Sequence, residues 1–147
     1  MKANEQTTAA VLAVMEQMSD AYLHRDMDAL MAIVAPDPDV VMYGTGADEK
    51  NIGRDGIKRQ AERDWSQTDE AAIVLGWHSV SVAKSGEVAW LAADAAFALK
   101  AGGQEISLPA RITATFENRS GSWLMVQSHF SFPAAGQEEG ESFPPEG

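Results

Sequence analysis

The chain has 147 residues, of which 45% are hydrophobic and 22% charged, the size and balance of one globular domain with its own core and not of a disordered or fibrous chain. Its formal charge of −11, from 11 basic and 22 acidic residues, repels phosphate backbones and anionic surfaces, so neither nucleic acid nor a membrane is expected as a partner. There is no cysteine, which excludes disulfides, thiolate metal sites and a cysteine nucleophile; with no apolar run near the ~20 residues that cross a bilayer and no signal-peptide block in MKANEQTTAA, a cytoplasmic location is expected.

From Glu5 to His24 the residues Val11, Val14, Met15, Met18, Ala21 and Tyr22 recur at steps of three and four, which predicts a helix with one buried stripe. Asp26 then caps a short second helix through Val34 that Pro36 and Pro38 cannot continue. Val40 to Tyr43 reads as a short strand closed by Gly44-Thr45-Gly46. Asn51-Ile52-Gly53-Arg54-Asp55-Gly56 leads into a third helix to about Trp65, in which Ile57, Ala61 and Trp65 share a face.

Beyond Glu70 the character changes to extended segments at 72–83, 87–100, 105–118 and 123–132, separated by Lys84-Ser85-Gly86, Ala101-Gly102-Gly103 and Arg119-Ser120-Gly121. Short turns make these strands an antiparallel meander. Helices followed by a run of strands predict an α+β fold with the helices packed on one face of a curled sheet. The last fourteen residues, AAGQEEGESFPPEG, carry four glutamates and no basic residue, and read as a mobile acidic tail, 134–147, after a single domain at 1–133.

Alternation divides each strand into two faces. On the last strand Leu124, Val126, Ser128, Phe130 and Phe132 form the more apolar face, which leaves Met125, Gln127 and His129 outside unless a bulge reverses the register. On the strand 87–100, Trp90 and Asp94 share one side with Ala92, and Leu91 and Phe97 share the other; on 105–118, Arg111 and Thr113 oppose Ala110, Ile112 and Phe116. Both strands have a side apolar enough to be the core, so the pattern leaves their inward faces open.

The order of elements resembles the NTF2-like superfamily, a cone-shaped α+β fold. VMYGTGADEKNIGRDGI, ending at Ile57, and RITATF…GSWLMVQSHFSFP at 111–133 are similar to its SnoaL-like branch, and the second also to the association domain of calmodulin-dependent kinase II. This resemblance implies a conical pocket between sheet and helices and a homodimer through the outer sheet face. Its members include ketosteroid isomerase, polyketide cyclases, dehydratases and non-catalytic assembly domains, so the fold does not name a reaction.

LPARITATF at 108–116 and AWLAAD at 89–94 resemble isomerase strands that line the pocket, which implies that Arg111 and Asp94 enter one cavity beside Trp90. By the same resemblance the isomerase's tyrosine and general base fall near Met18 and Met42, neither of which moves a proton. Arg111 then either binds a ligand carboxylate or enolate through its forked guanidinium or pairs structurally with Asp94. Asp94 is a candidate acid/base group, although a neighbouring arginine opposes the required rise in pKa. Trp65, Trp90 and Phe130 suit either an aromatic wall or ordinary core packing, and Ser128 is a candidate lining residue.

His129 is a candidate proton shuttle, with an interfacial hydrogen-bonding role as the alternative. His24, His78 and His129 lie on separate elements without ligand spacing, so no metal is expected, and no cofactor motif is present. The expected function is binding of a small organic molecule, acidic or aromatic, in an apolar pocket centred on the Arg111/Asp94 pair. The alternatives are a metal-free lyase of the cyclase, isomerase or dehydratase type and a pure dimerisation domain.

Overall fold

The computed structural model describes residues 1–145. Its elements are α1 (Glu5–His24), α2 (Met27–Ala32), β1 (Val41–Tyr43), β2 (Lys50–Ile52), α3 (Gly53–Gln67), β3 (Glu70–Val82), β4 (Val88–Ala101), β5 (Gln104–Arg119) and β6 (Ser122–Ser131). The four long strands begin and end within two residues of the predicted segments. From Ala134 to Pro145 there is neither helix nor strand, and Phe143 stands exposed; Glu146 and Gly147, the end of the expected tail, lie outside the described residues.

Local chemistry sets the helix ends. The Asn4 side chain accepts from the Thr7 amide at 2.8 Å to start α1, and Arg25, at φ 54°, ends it in the left-handed conformation. Asp26 caps α2 by accepting from the Ala29 amide at 3.0 Å. Gly53 enters α3 at φ 69°, a backbone state that glycine adopts without steric penalty. Gly56 is buried, and a Cβ there would lie 3.3 Å from the Asn51 backbone, so the missing side chain lets α3 lie close against β2.

The strands form one curled, open sheet in the order β2-β1-β6-β5-β4-β3. All neighbours are antiparallel except β1 and β6, which run parallel. Sequence reading missed β2 because its Lys50-Asn51-Ile52 has no alternating pattern of its own. The segment before α1 extends the sheet's outer edge, with the Ala3 amide donating to the Val80 carbonyl and the Val82 amide to that of Met1.

The inner face packs Leu91 and Ala93 of β4, Ile112, Ala114 and Phe116 of β5, and Ser128 and Phe130 of β6 against Val11, Val14, Met15 and Met18 of α1. Phe116 has no exposed surface, a burial that contributes about 1.5–3 kcal/mol. Trp90, Asp94, Arg111, Thr113, Gln127 and His129 are all exposed and occupy the opposite face, as their register partners require. The side implied to face inward by resemblance is therefore the outer one. The reason is physical: α1 offers an apolar stripe, which a guanidinium and a carboxylate cannot cover without losing their hydration.

Two bulges adjust these faces. In β6, Thr115 pairs with Gln127 but Phe116 pairs with Met125, so Val126 is an extra residue. Beyond it the phase reverses, and Met125, expected outside, is fully buried. Residues 128–131 keep the expected facing, with Ser128 buried and His129 exposed. In β3, Gly76 and Trp77 together oppose Asp94.

Candidate functional site

Sheet and helices line a half-open cavity of about 310 Å³. The sheet supplies apolar walls from Ile73, Phe97, Leu99, Leu108 and Phe130, Phe132 adds to them just past the end of β6, and the helices add Met18, Leu30 and Ile57. Phe97 anchors an aromatic cluster, its ring centroid 5.9 Å from that of Phe130 and 5.6 Å from that of Phe132, separations that favour tilted and edge-on pairing.

Polar groups enter from α1 and α3, from the loop after β1 and from β2. The Tyr22 hydroxyl of α1 donates to Asp64 Oδ2 of α3 at 3.0 Å. Gln60 Nε2 donates to Asp64 Oδ1 and to Glu49 Oε1, each at 2.8 Å, while Gln60 Oε1 accepts from Asn51 Nδ2 at 3.3 Å. Glu49 also accepts from the Gly46 amide and, at 2.8 Å, from Arg63 Nη2. All five of Tyr22, Glu49, Asn51, Gln60 and Asp64 line the cavity.

This arrangement is held by ties between the ends of α1 and α3. Arg25 donates to the carbonyls of Trp65 at 2.8 Å and Thr68 at 2.6 Å, and Trp65 Nε1 donates to the Tyr22 carbonyl at 3.0 Å. The rings of Tyr22 and Trp65 lie 5.7 Å apart. The distance between the Tyr22 hydroxyl and Asp64 is thus fixed by neighbours on both helices.

Burial pushes the Asp64 carboxyl above its ordinary range, and the nearby Glu49 carboxylate adds to the rise; hydrogen bonds from Gln60 and Tyr22 and the charge of Arg63 act in the opposite direction. Burial likewise raises the Tyr22 hydroxyl well above its usual value, helped by the charge of Asp64 and the bond to it. At neutral pH Tyr22 is therefore a proton donor in its hydrogen bond. A carboxyl poised in this way beside a hydroxyl can accept or return a proton, or orient a ligand's polar group.

A model of the SnoaL-like domain matches residues 11–135. The chain belongs to the SnoaL-like family. Its fold is shared by a candidate dehydratase of the NTF2-like family from Streptomyces avermitilis, 16% identical over 90% of this chain and 100% of that one, with a TM-score of 0.80. A candidate aromatic ring hydroxylase from Novosphingobium aromaticivorans is 15% identical over 90% and 93% of the chains, TM-score 0.78. A candidate calcium/calmodulin-dependent protein kinase II association domain from Xanthomonas campestris is 21% identical over 90% of each chain, TM-score 0.72. At these identities the likeness is one of fold. Among curated proteins none matches.

Within this SnoaL-like cone, Met18, Met42 and Phe130 line the cavity. Ser128 is buried on the same face beside Met42 in the β1–β6 ladder, but it does not reach the cavity, and among the described residues its Oγ has no hydrogen-bond partner. Trp65 supports Tyr22 from behind instead of forming a wall. Arg111, Asp94 and Trp90 are across the sheet from the cavity. Arg111 and Asp94 are register partners on β5 and β4, yet the guanidinium donates to the Phe132 carbonyl at 3.2 Å. His129 sits on the outer face with its ring 5.4 Å from that of Tyr43.

Sequence reading missed Asp64, Gln60, Glu49 and Asn51, and took Tyr22 only as part of an apolar stripe. The available signal was on α3. Gln60 and Asp64 are four residues apart and share a face with Ile57 and Ala61, so a carboxylate and an amide fall on the stripe that packs inward.

Proposed function

We propose that this SnoaL-like chain binds a small organic molecule in the cavity, its apolar body against Phe97, Phe130 and Phe132 and its polar group against Asp64 and Tyr22. The observation that carries this reading is an apolar cavity of about 310 Å³ with its hydrogen-bonding groups gathered on the helix side and loop, the usual design of a ligand pocket. It replaces the Arg111/Asp94 centre, because those residues have no access to that cavity.

Methionine methyl groups offer a direct test, since Met18 and Met42 line the cavity and Met125 is buried elsewhere in the core. With methyl-labelled methionine, titration with the neutral bicyclic probe 2-naphthylmethanol is expected to shift the Met18 and Met42 signals saturably and leave Met125 in place. Filling the cavity by Ala71→Trp, on the side of β3 that Ile73 shares, should abolish those shifts. Shifts that persist in the filled variant would sink the proposal, as would their absence in the wild type.

The Asp64–Tyr22 pair supports a second reading, a metal-free isomerase, cyclase or dehydratase in which Asp64 relays a proton. That role needs turnover that Asp64→Asn suppresses while binding of 2-naphthylmethanol survives. Val74, Trp90 and Tyr43 are exposed on the outer sheet face, at 56%, 43% and 41%, and support a homodimer through that face. Sedimentation should then give a dimer that Trp90→Glu dissociates; a monomeric wild type would end that idea.

A further inference from the structure

The two carboxylates that line the cavity are balanced differently. Glu49 is neutralised by Arg63, whose Nη2 lies 2.8 Å from Oε1, and it also receives Gln60. Among the described residues Asp64 has only neutral donors, with Tyr22 on one oxygen and Gln60 on the other. Each of its oxygens retains acceptor capacity beyond that single bond. Arg63 is the next residue on α3, but its guanidinium is engaged by Asp48 and Glu49.

No lysine, arginine or histidine is present among the described residues that line the cavity. A ligand carboxylate or phosphate would therefore bring a third negative charge into a partly dry space with no cation to meet it, inside a chain already at −11. An ammonium does the reverse. It supplies the hydrogen-bond donor that Asp64 can still accept and the countercharge that Asp64 lacks, while an aromatic or alicyclic body fits the Phe97, Phe130 and Phe132 wall.

Resting on the reading that this cavity binds a small molecule, we infer that its ligand class is an organic amine, protonated at neutral pH, with its N–H groups donating to Asp64. The acidic ligand expected from the sequence depended on Arg111, which is on the other side of the sheet.

Three probes of one shape separate charge from fit: 2-naphthylmethylamine, 2-naphthylmethanol and 2-naphthoate, titrated at neutral pH with the Met18 and Met42 signals as readout. The amine is expected to bind about tenfold or more tightly than the alcohol, with the carboxylate weakest. In Asp64→Asn the advantage of the amine over the alcohol should disappear, whatever the alcohol's own affinity becomes. A carboxylate that binds as tightly as the amine overturns the inference in the wild-type protein alone, whatever the variant's fold. So does an amine advantage that survives Asp64→Asn in a variant with unchanged thermal unfolding. If the alcohol binds and the amine gains nothing, the charge preference fails and the cavity reading stands; if none of the three moves Met18 and Met42, both fail.

Discussion

On the outer face of the sheet, Asp94 stands across the β4–β5 ladder from Arg111, and both remain in water; inside the cavity, Asp64 is partly buried among apolar walls and takes its hydrogen bonds from Tyr22 and Gln60. The exposed pair looks more like a site because it brings opposite charges together. Its charges are nevertheless worth little, since water screens them and Arg111 turns to a backbone carbonyl. The inner carboxylate has no such compensation, and its protonation responds to everything placed beside it. Isolation from water, more than pairing, gives a charge its chemical consequence here.

The largest test of this contrast removes a residue from the inner face. Phe116→Ala should destabilise the fold by about 3–5 kcal/mol in urea unfolding, because Phe116 is completely buried and its loss leaves a void. A much smaller loss would mean that the inner face is not the core.

A second test uses the sign of the Asp64 shift. Its folded pKa is raised above the unfolded value of about 3.8, so the folded state holds the proton more tightly, and the stability contribution present below that value is lost as pH rises through the folded pKa. Relative to Asp64→Asn, the wild type should therefore lose stability as the pH is raised from the lower edge of the carboxylate range towards neutrality. A gap that runs the other way would show that Asp64 is favourably charged and would undo the contrast. The smallest expected effect is on the outer face, where Arg111→Ala should change stability by no more than about 0.5 kcal/mol. A loss above about 2 kcal/mol would restore Arg111 as a structural centre.

Every element except β2 was legible in the sequence because its signals are local. Asp26 caps α2, Gly86, Gly102, Gly103 and Gly121 take positive φ in the turns, and the stripe of α1 repeats at the helical period. The inward face of β4 was not legible, because alanines occupy both sides: Ala92 and Ala96 on one, Ala93 and Ala95 on the other; β5 has its alanines, Ala110 and Ala114, on the apolar side alone, and there the resemblance overrode the pattern. The choice depends on what α1 presents, a fact that no single strand contains. Analogy then selected the wrong side for Arg111, Asp94 and Trp90. The cavity's polar cluster was hidden for a related reason: Tyr22, Glu49, Asn51, Gln60 and Asp64 come from four separate elements or loops, and only Gln60 and Asp64 share a periodic pattern.

The extra residue at Val126 carries a consequence for inheritance. A point substitution there changes one half-buried side chain, which the surroundings can absorb. Loss of its codon would instead rotate Met125 and the residues before it to the other side of the strand and withdraw Met125 from its backbone bonds to Ile33 and Ala35. At this position length matters more than spelling.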